Sequence, residues 1–332
     1  MVETLTLVII TIAIALIFDF GNGINDAANS IATVVATRVL SFRAAALLAM
    51  FFNIIAAFFF TVAVAKTVAK GIVDPQYVNT IIILSGLVGS IFWVYLTTYF
   101  GLPISASHSL IGGFIGAVIA AVGLKAIIYV GILKVILFIF LAPIIGLIVG
   151  TIFTLLVYNI FKKAAPLKVD KHFRFLQLVS SSAYSLNHGA NDAQKTMGLI
   201  TLVLFVNGFL GKDFYVPFWV ILISHITIGL GTLAGGWKVV KTMGTRLTRL
   251  RPVEGFCAES AGALTIFGCS LAGIPVSTTH VISGSIIGVG SVKRFSAVRW
   301  KIARKMLWAW IVTIPISALV GGLTYLVISS FM

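Results

Sequence analysis

Phe20-Gly21-Asn22-Gly23-Ile24-Asn25-Asp26-Ala27-Ala28-Asn29 interrupts an apolar run that would otherwise read as a simple membrane span. Leu5–Phe18 before it is nearly all Ile, Leu, Val, Ala and Thr, and Ile31–Val35 after it is apolar again. Two acids, Asp19 and Asp26, therefore fall at membrane depth. A carboxylate there costs roughly 2.5–3.5 kcal/mol on insertion scales, so its first reading is functional. Gly21 and Gly23 permit an unwound backbone, and a broken helix with carbonyls turned to a cation is expected. The signature recurs as Asn187-His188-Gly189-Ala190-Asn191-Asp192-Ala193, where a second break is expected.

The surrounding composition agrees with a polytopic membrane protein. The chain has 332 residues, 59% hydrophobic and 10% charged, with mean hydropathy +1.10. Cys257 and Cys269 fit neither a disulfide framework nor a metal-binding pair. A net charge of +15 raises the question of nucleic acid. However, 18 of the 24 Lys and Arg lie in four short regions, 38–43, 162–174, 238–251 and 293–305. They flank apolar segments, as basic residues do in cytoplasmic loops, so no nucleic-acid partner is expected.

The apolar segments divide the chain into two comparable halves. The first, 1–161, holds Leu5–Thr37, Ala44–Ala65, two arms Thr80–Phe100 and Ile104–Val122, and Ala126–Phe161 with Pro143 inside it. A basic cytoplasmic loop, 162–174, closes it. The second, 175–332, holds Phe175–Leu210, Val216–Gly236, a basic interfacial linker Trp237–Arg251, two arms Gly255–Ala272 and Ser277–Gly290, and Ala297–Ile328. With the basic regions inside, parity threads the halves in opposite directions and places both termini outside a cell membrane. The expected fold is all-α and polytopic: two inverted repeats with broken helices and paired helical hairpins.

The arm joints support the repeat. Pro103-Ile104-Ser105-Ala106-Ser107-His108 faces Pro275-Val276-Ser277-Thr278-Thr279-His280, and Ile115-Gly116 faces Ile287-Gly288 at the same offset. Pro, then Ser, then an apolar run reads as a helix start with Ser as N-cap. Such a terminus offers unpaired N–H groups and a partial positive charge. Hydroxyls of Ser105, Ser107, Ser277, Thr278 and Thr279, with Gln194 as a further polar contact, would complete a site for a tetrahedral oxyanion. Such an anion needs a coupling cation to cross against the potential. Asp26 and Asp192, with Asn25 and Asn191 carbonyl oxygens, suit Na⁺, while the same carboxylates could instead carry H⁺. Glu259 reads as a second ion site or a gate. Lys195 pairs with Asp192 or touches the substrate, and His108 and His280 read as hydrogen-bonded packing residues.

These residues resemble the inorganic phosphate transporter (PiT) family, whose hallmark is a duplicated Gly-Ala-Asn-Asp-Val-Ala-Asn motif. Gly23-Ile24-Asn25-Asp26-Ala27-Ala28-Asn29 and Gly189-Ala190-Asn191-Asp192-Ala193-Gln194-Lys195 are similar to it, the second departing after Ala193. The resemblance runs from about residue 18 to 305. It implies two inverted halves, in many members a homodimer, and a functional Glu in each half. Glu259 matches the second Glu, and Asn53 stands at the place of the first.

The function expected is therefore secondary import of inorganic phosphate with Na⁺ by alternating access across a lipid bilayer, without a cofactor. The alternative is an H⁺-coupled carrier of phosphate, metal–phosphate or sulfate. An intramembrane enzyme using His108 or His280 as base is disfavoured, because no nucleophile–base–acid set appears.

Overall fold

A computed structural model describes residues 2–59 and 61–331, and among them the regular structure is helical, with connecting turns and one isolated bridge between Val73 and Ile127. In chain order the helices are α1 (Val2–Ala36), α2 (Phe42–Ile55), α3 (Ala63–Lys70), α4 (Thr80–Tyr99), α5 (Ala106–Val122), α6 (Tyr129–Phe161), α7 (Pro166–Val206), α8 (Phe218–Ala234), α9 (Trp237–Lys241), α10 (Pro252–Leu271), α11 (Thr278–Lys293) and α12 (Trp300–Ser329). Five helices among the described residues, α1, α4, α5 extended to Ala126, α6 and α12, are long and apolar enough to cross a bilayer; α2–α3 and α8–α9 are bent pairs that raise the number to seven.

Local chemistry sets the starts. Asn79 caps α4 by accepting from Ile82 N at 2.9 Å, and Ser41 caps α2 by accepting from Ala44 N at 3.3 Å. Pro252 opens α10, where Glu254 accepts from Arg251 N at 2.7 Å.

The expected breaks at the Asn-Asp motifs are not present. α1 and α7 run continuously through them, and the bends lie elsewhere: 82° between α2 and α3, and 67° between α8 and the segment Trp237–Arg246. The motif glycines serve close approach instead of unwinding. A Cβ on Gly23 would lie 2.4 Å from Ile228 O, and one on Gly231 would lie 2.2 Å from Phe20 O, so α1 and α8 meet backbone to backbone. Small residues at such crossings are what helices use where lipid offers no hydrophobic drive to associate. The basic stretch expected as a loop, 162–174, is helical from Pro166 onward.

The polar motifs avoid lipid by enclosure. Residues 188–204 of α7 are all buried, as are residues 21–34 of α1 apart from Ile24. The lipid-facing work falls to helices such as α6, which exposes Ile144, Ile148, Ile152 and Leu155 along one side.

The pairings occur twice with the halves exchanged. α5 packs on α12 and α11 on α6; α1 packs on α8 and α7 on α2; α1 meets α4 and α7 meets α10. The first two seams have the same build. A Cβ on Gly112 or Gly116 would collide with Ile314 O (2.7 Å) or Ala318 O (1.9 Å), and one on Gly284 or Gly288 with Pro143 O (2.1 Å) or Leu147 O (2.2 Å). Pro143 and Pro315 lie inside α6 and α12 respectively. His108 and His280, at matching positions, touch with ring centroids 4.8 Å apart.

Candidate functional site

The N-termini of α5 and α11 reach α1 and α7 in the interior. Ser105 and Ser277 are their N-caps, accepting from His108 N at 3.1 Å and His280 N at 3.3 Å. The cap role anticipated from the Pro-x-Ser pattern holds. Each serine oxygen accepts there, which leaves its own O–H proton available as a donor. The donors at the termini are thus these two hydroxyls, the first backbone N–H groups and the next hydroxyls.

Those next hydroxyls are Ser107 on α5 and Thr278 and Thr279 on α11. Thr278 Oγ1 lies 2.7 Å from Asp192 Oδ2 and 3.3 Å from Asp26 Oδ2, bridging the two motif carboxylates. Thr279 Oγ1 lies 3.2 Å from Asp26 Oδ1. Asn29 Nδ2 donates to Thr278 Oγ1 at 3.2 Å and Thr279 Oγ1 at 2.9 Å. Lys195 Nζ donates to Ser107 Oγ at 2.5 Å, to Val276 O at 2.9 Å and to Asp192 Oδ1. His188 Nε2 stands 3.0 Å from Asp192 Oδ2. Ligand-type atoms of Asp26, His188 and Asp192 all fall within 4.8 Å of one another. Every residue in this cluster is buried.

Asn25 and Asn191 flank it in parallel fashion. Asn25 Nδ2 donates to Thr98 Oγ1 on α4 at 2.8 Å, and Asn191 Nδ2 donates to Ser270 Oγ on α10 at 2.8 Å. With each amide nitrogen engaged, the amide oxygens are what remain: Asn25 Oδ1, Asn29 Oδ1 and Asn191 Oδ1 are buried and accept no hydrogen bond among the described residues. Carbonyl and carboxylate oxygens without donors are hard ligands, chemically suited to Na⁺.

Two anticipated members are elsewhere. Gln194 Oε1 accepts from Val64 N at 2.9 Å and Ala65 N at 3.2 Å, capping α3, while its Nε2 donates to Ala190 O at 2.6 Å. Both ends of the amide are used structurally. Glu259 sits in its own polar pocket, accepting from Thr33 Oγ1 at 2.5 Å, Ser180 Oγ at 2.5 Å and Gln177 Nε2 at 3.0 Å. Thr33 is seven residues from Asp26, about 10 Å along α1, so Glu259 does not join the carboxylate pair. Asn53 is tied to α7 and α8: its Nδ2 donates to Thr232 Oγ1 at 2.9 Å, its Oδ1 lies 3.1 Å from His188 Nδ1, and its carbonyl O lies 2.8 Å from His225 Nδ1.

The sequence reading passed over His188, Asn29 as a direct partner of the threonines, and Tyr184, whose OH donates to Thr278 O at 3.2 Å. His188 was within reach, since it stands four residues before Asp192 and shares its helix face. Tyr184 carried no such signal, its partner being 94 residues away.

The arrangement joins an anion-type site, two helix termini with hydroxyls, to a cation-type site of carboxylates and amide oxygens. Residues 22–321 match the model of the phosphate transporter family. The chain is 51% identical over 314 residues to a protein of Rhizobium meliloti named "Probable low-affinity inorganic phosphate transporter", covering 95% of this chain and 94% of that one. It is 43% identical over 327 residues to a protein of Bacillus subtilis with the same name, covering 98% of each. A solved structure described as "The sodium-dependent phosphate transporter" superposes with a TM-score of 0.89 at 26% identity, covering 98% of this chain and 100% of that one. These relatives are membrane carriers and not enzymes, and the chain belongs to the phosphate transporter family.

Proposed function

We propose that this transporter carries inorganic phosphate inward with Na⁺, by alternating access of two inverted halves, 1–161 and 175–332, in the cell membrane with both termini outside. Phosphate is held between the N-termini of α5 and α11, by backbone N–H groups and the hydroxyls of Ser107, Thr278 and Thr279. Na⁺ is held by Asp26 and Asp192 with the amide oxygens of Asn25 and Asn191. Ser105 and Ser277 fix the termini and offer their hydroxyl protons to the same anion, and Gln194 leaves the substrate set. Glu259 serves a separate step, as a second ion site or gate, two turns along α1.

The observation that carries this reading is the bridge of Thr278 between Asp26 and Asp192. It couples the two sites mechanically: a cation that draws the carboxylates in also repositions the helix terminus that faces the anion. Exchanged helix pairings and the His108–His280 contact support the two-half description. The sodium-dependent structural relative supports Na⁺ over H⁺. Access alternates when the α4–α5 pair with α12 moves against the α10–α11 pair with α6, since each pair packs on the other half's last helix.

The test is uptake of radiolabelled phosphate into proteoliposomes under imposed Na⁺ or H⁺ gradients, with sulfate as competitor. Uptake driven by Na⁺ and indifferent to sulfate is expected. Flux that needs no gradient would mean a passive pore, and equal inhibition by sulfate would withdraw the phosphate-selective site.

A further inference from the structure

The two motif copies align with Asp26 opposite Asp192, which sets Asn29 opposite Lys195. The arm joints align with Ser107 opposite Thr279. The contacts follow that register: Asn29 Nδ2 reaches Thr279 Oγ1 at 2.9 Å, and Lys195 Nζ reaches Ser107 Oγ at 2.5 Å. One link is made twice, from a motif helix to a hairpin terminus, by an amide in the first half and an ammonium in the second. We infer that the Lys195 ammonium is a tethered cation occupying one of two repeat-related cation positions, so that this chain takes up one coupling cation fewer per phosphate than a chain with an amide at both.

The inference rests on the cation reading of Asp26 and Asp192, and three observations carry it beyond that reading. First, Lys195 Nζ is surrounded by a carboxylate (Asp192), a hydroxyl (Ser107) and a backbone carbonyl (Val276). That is a ligand set a hard monovalent ion would also accept. Second, an ammonium has three protons to donate, and these three oxygens use all of them, leaving none for phosphate. Lys195 is therefore not placed as a direct anion ligand. Third, the other half differs in the complementary sense. Among the described residues Asp26 pairs with no Lys or Arg and receives only the Thr278 and Thr279 hydroxyls at 3.3 and 3.2 Å. The Asn29 amide oxygen is buried without a donor. A buried carboxylate demands a countercharge. At Asp192 the chain itself supplies it at every Na⁺ concentration, through an effective concentration set by the tether. At Asp26, which neighbours His188 but pairs with no ammonium, it is left to a cation from solution.

The test is the cation:phosphate ratio of the purified full chain in proteoliposomes. It is read as the Na⁺ gradient that nulls net phosphate flux at a fixed phosphate gradient, with an H⁺ gradient run in parallel. Lys195→Asn, which restores the amide of the matching position, is expected to raise the ratio by one. Lys195→Arg, which keeps the charge, is expected to leave it unchanged. A second readout needs no transport: thermal unfolding of the detergent-solubilised Lys195→Asn protein should depend more steeply on Na⁺ than the parent's. An unchanged ratio and unchanged Na⁺ steepness in Lys195→Asn would overturn the inference, as would loss of phosphate affinity alone, which would make Lys195 an anion ligand. A parent driven by neither gradient would instead sink the underlying cation reading.

Discussion

α1 and α7 carry the same Asn-Asp pair, and each asparagine makes the same reach: Asn25 to Thr98 on α4 and Asn191 to Ser270 on α10, both at 2.8 Å. Their backbones run through the motif alike, continuous and enclosed. The electrostatics are not alike. Asp192 is held between Lys195 and His188, whereas Asp26 faces hydroxyls. The two motif copies thus share their reach and differ in their charge partners: Asp192 has an ammonium beside it, and Asp26 has none.

The sharpest way to break the comparison is to remove each carboxylate in turn. Asp192→Asn leaves Lys195 buried without its counterion, which costs about 3–5 kcal/mol and should lower the yield of folded protein as well as uptake. Asp26→Asn strands no ammonium, so uptake should fall while melting temperature holds. Equal loss of folded protein in both variants, read by size-exclusion profile and thermal unfolding, would show that the two carboxylates are equivalent after all.

Glu259→Gln sharpens it next. The Thr33, Ser180 and Gln177 donors converge on the Glu259 carboxyl group. Replacing one oxygen by an NH₂ that faces these donors should cost about 1–3 kcal/mol, as a buried polar group left without its partner does. If Glu259 is a separate ion site, the variant loses uptake while phosphate still protects the protein against thermal unfolding. Loss of that protection would place Glu259 in the phosphate site.

The seams give a matched pair of controls. Gly116→Ala and Gly288→Ala each push a methyl against a backbone oxygen, Ala318 O and Leu147 O, and should each destabilise by about 1–3 kcal/mol. Similar melting shifts are expected because the two crossings have the same build; a shift in only one would argue that the halves pack differently. The smallest effect belongs to Gln194→Ala, which removes the α3 cap for about 1 kcal/mol and should leave the phosphate concentration for half-maximal uptake unchanged.

Much of this was legible before any coordinates. The doubled Asn-Asp motif and the doubled Pro-x-Ser joint are local patterns; they gave the two N-caps and named residues that the structure gathers into one buried cluster. The reading erred where composition was asked to decide geometry. Gly21 and Gly23 are compatible with either an unwound or a tightly packed helix, and the neighbouring α8, with its own Gly231, settles the matter. Gln194 lies in the motif, yet its amide oxygen turns to the start of α3. Glu259 is a buried acid like Asp26, but its position on α10 delivers it to Thr33, two turns along α1.

By itself the amino-acid sequence determined that this chain is an all-helical membrane carrier, because hydropathy, charge placement and the recurring motifs are properties of the order of residues. Only the tertiary structure decided which oxygens of distant helices come together. The bridge of Thr278 from Asp26 to Asp192 spans 252 and 86 residues of chain, and contacts at that separation are set by helix packing that no local pattern encodes.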